Sequence, residues 1–223
     1  MMAMINRGRS VNYVSWACAI IIALVFSLVF LRHSTFYHAD TTWQLYSVWS
    51  VMQPGHATDF LSSLRPGYLL NVPAVYFFGL NLYALRLVTY GIALFGLAVF
   101  IAGMKHHAVK SAWYPIILVL ASICQLKFTD YLFSYYNAPW IFLCFGLGCF
   151  WLSTRYRNSI RILLSLLAGT AIAVASFSNL ALLPAGIVAL CVLGVAYPRR
   201  TVVLVAIACI ITWLILGYLY FDI

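Results

Sequence analysis

A carboxylate that follows a membrane-length apolar run and heads a helix is placed to act as a base or to hold a cation. Asp40 is such a group, in the stretch His38-Ala39-Asp40-Thr41-Thr42-Trp43-Gln44. Thr41 and Gln44 have the spacing of a capping box, which predicts a helix opening at Thr41 and running to about Gln53. Asp40 then stands one residue outside that helix. The positive end of the helix keeps the carboxylate ionised, which suits it to take a proton from an acceptor or to ligate a metal ion. The plainer role for Asp40 is a helix cap, worth about 1 kcal/mol. His38 lies two residues before it and belongs to the same candidate site.

Three further groups carry binding chemistry. Arg65, before Pro66-Gly67, can grip a phosphate with two parallel hydrogen bonds or snorkel to lipid headgroups. Arg86 lies one turn into a long apolar segment, where a guanidinium needs a polar partner or access to water. Tyr135-Tyr136-Asn137 opens another apolar segment, with Asp130 seven residues earlier. Tyr136 and Asn137 suit sugar hydroxyls or a phosphate, or form an ordinary aromatic belt with an Asn cap. Cys18, Cys124, Cys144, Cys149, Cys191 and Cys209 all fall inside apolar runs, without metal-ligand spacing. A divalent metal ion is the cofactor this chemistry could use, and the sequence shows no clear site for one.

These groups must be positioned by membrane-embedded helices. Of the 223 residues, 65% are hydrophobic and only 8% charged. A soluble domain of that size leaves too much surface exposed to accept so apolar a composition. With a hydrocarbon core about 30 Å thick, each span needs roughly 20 apolar residues. The expected fold class is all-α: a polytopic transmembrane bundle of about seven spans, forming a single module. The spans are residues 12–31, 82–104, 112–126, 137–153, 162–175, 180–197 and 201–220, after a basic N-terminal segment, 1–11. An outer loop, 32–81, carries short interfacial helices, one from Thr41 to about Gln53 and one from Gly67 to Phe78 bent at Pro73. Trp43, Tyr46, Trp49 and Met52 are expected near one face of the first.

Charge fixes the expected orientation. The net charge of +9 comes from basic residues in short clusters between apolar runs, which is the topology signal rather than a nucleic-acid footprint. The dozen residues 67–78 reach only about 18 Å as a helix, too short to span. Left on the surface, they allow Arg7, Arg9, Lys105, Lys110, Arg155, Arg157, Arg161, Arg199 and Arg200 to face the cytoplasm. Asp40, Asp59, Asp130 and Asp222, the only acids in the chain, then face outward. The expectation is an integral plasma (inner) membrane protein with a cytoplasmic N-terminus and an extracytoplasmic C-terminus.

Taken together, the order of a first span, an Asp before a short helix, "RPGYLLNVPAVYFFG" and "LNLYALRL" resembles the N-terminal half of the GT-C glycosyltransferases. Within that superfamily it is most similar to aminoarabinose transferases and protein mannosyltransferases. The resemblance covers roughly residues 10–200. It implies transfer of a sugar from a polyprenyl-phosphate carrier to a lipid or glycan acceptor at the outer membrane face. It also implies that Asp40 is the base and that Arg65 and Arg86 hold the donor phosphate. Thr41 stands where the family often has a second acid, and Asn137 where it often has an Asp. The resemblance implies complete enzymes about twice as long, which leaves three readings of this chain: a minimal module, a truncated product, or one half of a split protein with a C-terminal partner, beside the lipid-linked sugar and membrane lipids. The rivals are a non-enzymatic flippase or transporter subunit and an inactive remnant.

Overall fold

A computed structural model describes residues 2–29, 31–32, 39–52, 66–104, 114–127, 132–134, 136–179 and 197–221. Within them the chain is helical: α1 (Met2–Val29), α2 (Ala39–Val51), α3 (Pro66–Leu69), α4 (Val72–Phe78), α5 (Leu82–Met104), α6 (Tyr114–Lys127), α7 (Ala138–Ser153), α8 (Asn158–Ser178) and α9 (Arg199–Phe221). No strand occurs among the described residues.

Among the described residues, three helices are long and apolar enough to cross a membrane: Leu82–Met104, Asn158–Ser178 and Arg199–Leu219. Their surfaces agree with their length. Ile207, Ile210, Ile211, Leu214 and Ile215 of α9 are all exposed, a continuous apolar face that water would not tolerate. The chain is therefore a membrane protein. The span expected over 162–175 begins four residues earlier, at Asn158. Arg161 is helical and belongs to its first turn, where a charge can reach water while the backbone continues regularly. The expected span 180–197 falls, but for Tyr197, outside the described residues.

Small residues set the helix contacts. A Cβ on Gly148 would stand 2.6 Å from the Phe100 nitrogen, so α5 and α7 touch backbone to backbone. Gly103 faces Gly148, and Gly96 faces Ile141 and Phe145. Residue numbers thus rise together along the contact, and α5 and α7 run parallel. Gly146 meets Ala168, Ala171 and Ile172, making α7 and α8 an antiparallel pair closed by the short 154–157 turn. Gly169 faces Val205, Ala208 and Cys209 of α9. Farther along, Trp213 Nε1 donates to Ser176 Oγ at 2.9 Å, so α8 and α9 are again parallel. The Gly169-x-x-x-Ala173 pattern is thus a packing surface.

These directions divide the bundle into two ends. One holds the start of α5 and α7 and the finish of α8 and α9. The other holds the finish of α5 and α7, the start of α8 and α9, and Arg155, Arg157, Arg161, Arg199 and Arg200. There Arg155 donates to the carbonyls of Ala102 (3.2 Å) and Gly103. A cation thereby closes the negative C-terminal end of α5.

The glycine contacts carry a stability prediction. Gly148→Ala forces a methyl into the α5 backbone and should cost about 1–3 kcal/mol. Gly91→Ala, whose added carbon meets nothing within 4 Å, should be neutral or slightly stabilising. Thermal unfolding of the detergent-solubilised protein separates the two. Equal behaviour would remove the backbone contact from the account.

Candidate functional site

The end of the bundle opposite the arginine cluster is built around one short non-helical segment, Leu132–Ser134, lying between α6 and α7. All three residues are buried, so their backbone groups must find partners inside the protein. Two asparagines supply them. Asn71, at the corner between α3 and α4, donates through Nδ2 to the Phe133 carbonyl at 2.9 Å. Its Oδ1 accepts from the Phe133 N–H at 3.2 Å. Asn137, just before α7, donates through Nδ2 to the Leu132 carbonyl at 2.8 Å and accepts from the Ser134 N–H at 3.0 Å. Ala138 N donates to the Ser134 carbonyl at 3.0 Å.

The corner carrying Asn71 has a local cause. Pro73 occupies the first turn of α4, so the helix expected as one piece from Gly67 to Phe78 is two. The chain breaks at Leu70-Asn71, where Asn71 N donates back to the Tyr68 carbonyl at 3.0 Å. Gly79 ends α4 with φ +60°, a conformation glycine takes without strain. Asn81 then starts α5, its Oδ1 accepting from Ala84 N at 3.2 Å.

Arg86 sits one turn into α5 with 0% of its surface exposed, the largest fully enclosed side chain among those described. It is enclosed by protein and does not snorkel toward headgroups. Tyr90, four residues on and so on the same helix face, is also buried and packs its ring on Phe26 of α1 at 5.3 Å. The Tyr90 hydroxyl is buried with no hydrogen-bond partner among the described residues. Tyr90 is the one polar member of an otherwise apolar cluster of Phe26, Leu31, Ala93, Phe133, Ala138 and Ile141.

Helix α2, whose second residue is Asp40, lies against this assembly. Its Leu45 and Val48 pack with Tyr68, Val75, Leu85 and Leu132. Leu85 is the neighbour of Arg86. The helix begins at Ala39, two residues earlier than the capping box predicts, so Asp40 lies in its first turn and not outside it. A carboxylate remains favourable there against the helix's positive end. The aromatic residues of α2 do not share one face. Trp43 and Tyr46 are exposed, while Trp49 and Met52 pack inward. Steps of three residues turn 300° on a helix, so four such positions wrap half-way round it.

Of the expected site residues, then, Arg86 and Asn137 are buried at one end of the bundle, Tyr136 is exposed beside them, and Asp40 is carried on a helix packed against the adjoining cluster of Tyr68, Val75, Leu85 and Leu132. Asn137's amide is engaged within its own loop, and α7 has no side-chain cap from it. Arg65, His38 and Asp130 lie outside the described residues. Among the described residues no three His, Cys, Asp or Glu side chains come together as a metal site would need. Sequence reasoning missed Asn71 and Tyr90. The signal for Asn71 was a lone amide in an apolar run two residues before a proline. Tyr90 could have been found from its four-residue spacing to Arg86. No family model, curated protein or solved structure matches this chain.

Asn71 can be tested directly. Asn71→Ala leaves the buried Phe133 N–H and C=O without their side-chain partners and should cost about 2 kcal/mol or more. Asn71→Asp keeps the acceptor but turns a second acceptor toward the Phe133 carbonyl, so it should be no better. Thermal unfolding in detergent reads both. A wild-type melting temperature in either variant would contradict the clamp.

Proposed function

We propose that this chain is a multi-pass glycosyltransferase of the GT-C kind, moving a sugar from a polyprenyl-phosphate donor to a lipid or glycan acceptor at the outer membrane face. The observation that supports it best is the enclosed Arg86 beneath a helix that carries Asp40 in its first turn. A buried guanidinium is expensive to desolvate and is retained where anions must be held. In the proposed reaction the acceptor oxygen attacks the anomeric carbon of the donor sugar. The bond from that carbon to the phosphate oxygen breaks, and the phosphate stays on its lipid carrier. Asp40 takes the acceptor proton, while Arg65 and Arg86 offset the charge developing on the phosphate.

The reading places α1, α5, α6, α7, α8, the segment between Asn179 and Tyr197, and α9 as seven spans, with α2, α3 and α4 at the outer interface. Alternating helix directions support this order. α5 and α7 run parallel with one helix between them in sequence, and α8 and α9 run parallel, so the chain returns to its starting end between each pair. The exposed Tyr76 (72%), Phe77 (76%) and Phe78 of α4 suit an interfacial belt. The five arginines at the opposite end suit the cytoplasm by the positive-inside rule.

Orientation is tested in a background with the native cysteines replaced. Tyr136→Cys should react with an impermeant maleimide added to intact cells. Tyr156→Cys, at the arginine-rich end, should react only after permeabilisation. The reverse pattern would invert the topology.

The chemistry is tested by Asp40→Asn, which keeps shape and removes charge. Sugar transfer from a polyprenyl-phosphate donor in proteoliposomes should fall at least about a hundredfold, the scale of a positioned general base. Melting temperature and insertion should stay at wild-type values. Full transfer by Asp40→Asn would end its assignment as the base. No transfer by wild type, with a normally inserted protein, would favour a non-catalytic lipid-carrier protein.

A further inference from the structure

Where α8 and α9 start side by side, they leave an open cavity of about 570 Å³ between them. It is lined by Arg161, Arg199, Arg200 and Asn158, and by an apolar floor that includes Ile162 and Val203. Because the two helices are parallel, both present their N-terminal ends here, each the equivalent of a partial positive charge. No Asp or Glu occurs anywhere between Asp130 and Asp222. Three cations and two positive helix ends therefore share one cavity with no acid from either helix to balance them.

The neighbouring cation at this end has a different role. Arg155 caps the finish of α5 with its guanidinium. In the cavity, Arg161 uses only its Nε, donating to the Tyr156 carbonyl at 3.0 Å. Its terminal nitrogens, and the side chains of Arg199 and Arg200, have no hydrogen-bond partner among the described residues.

We propose that this cavity binds the phosphate of an anionic phospholipid headgroup. A phosphate offers acceptor oxygens in the geometry a guanidinium fork matches. Free phosphate shares that chemistry, but the floor selects the lipid. Ile162 and Val203 are themselves half exposed, and the apolar strip continues over Ile207 and Ile211 of α9, along which an acyl chain can lie. The site is at the bundle end remote from Asp40 and Arg86, so it stands or falls apart from the sugar-transfer chemistry.

The test uses the full chain purified in a neutral detergent, titrated with dioleoylphosphatidylglycerol, with dioleoylphosphatidylcholine and with inorganic phosphate. Binding is followed by native mass spectrometry and by melting temperature. Phosphatidylglycerol should bind and raise the melting temperature, and the effect should weaken with salt. Phosphatidylcholine, a zwitterion, and inorganic phosphate, without a chain, should each bind at least about tenfold more weakly, the loss of one charge-assisted bond or of part of the acyl contact. Arg199→Gln with Arg200→Gln should lower phosphatidylglycerol affinity at least about tenfold on the same scale. Arg157→Gln removes the same charge outside the cavity and should change little. If the double variant does not insert, Arg200→Gln alone should still lose phosphatidylglycerol in preference to phosphatidylcholine. Equal binding of the two lipids overturns the proposal, as does an equal loss in Arg157→Gln. Inorganic phosphate matching phosphatidylglycerol overturns the lipid as the source of the anion.

Discussion

The structure at the Asp40 end depends on a constraint that membranes make severe: backbone N–H and C=O groups removed from water must be satisfied by the protein itself. A helix meets that condition internally, but Leu132–Ser134 is not helical and pairs with no strand among the described residues. Asn71 and Asn137 act as substitute backbone, each offering a donor and an acceptor at the spacing a peptide unit presents. Asn71 reaches across 62 positions of sequence to do so. Through it the α3–α4 corner is fixed to the loop before α7, and α2 rests on the platform that results. Remove the amide and the positions of Asp40, Arg86 and Tyr136 relative to one another lose their common support.

The remainder of the bundle is held by a different means. With lipid on the outside there is little hydrophobic drive for one helix to prefer another, so close packing decides the partners. Gly96, Gly103, Gly146, Gly148 and Gly169 are placed where a neighbouring backbone comes near. Polar threads reinforce them, among them Trp213 to Ser176 and Trp151 Nε1 to Tyr197 at 3.2 Å. The two ends then specialise. At one, the Asn71 and Asn137 amides are enclosed and engaged within the protein. At the other, arginines surround an open cavity.

How much of this could be read from the sequence depended on the range of the interactions involved. The helices over 82–104 and 199–221 were legible because twenty apolar residues leave few alternatives in a bilayer. The start of α8 at Asn158 is not marked by the apolar run, which Arg161 interrupts, although a helix's first turn can carry a charge. The capping box at Thr41 matched a local pattern, yet α2 opens at Ala39, and boundaries of this kind are the least determined by local signals. Asn71 and the parallel pairing of α8 with α9 were not legible. Both join residues far apart in the chain, and nothing in the spacing around either residue marks its partner. Arg86 was recognised as needing compensation, but its full enclosure depends on packing from elements that no single window contains.

The parallel packing of α8 on α9 has a consequence for how the molecule is made. Chain emerges from the ribosome at about 5–20 residues per second, so the grooved face of α8 around Gly169 enters the membrane before α9 has been synthesised. The antiparallel partner of α8, by contrast, is already beside it. For an interval of seconds that face has only lipid, or some other small-residue helix, to pack against. Translation speed over residues 180–205 therefore bears on whether α8 keeps its own partner or is captured by a stranger.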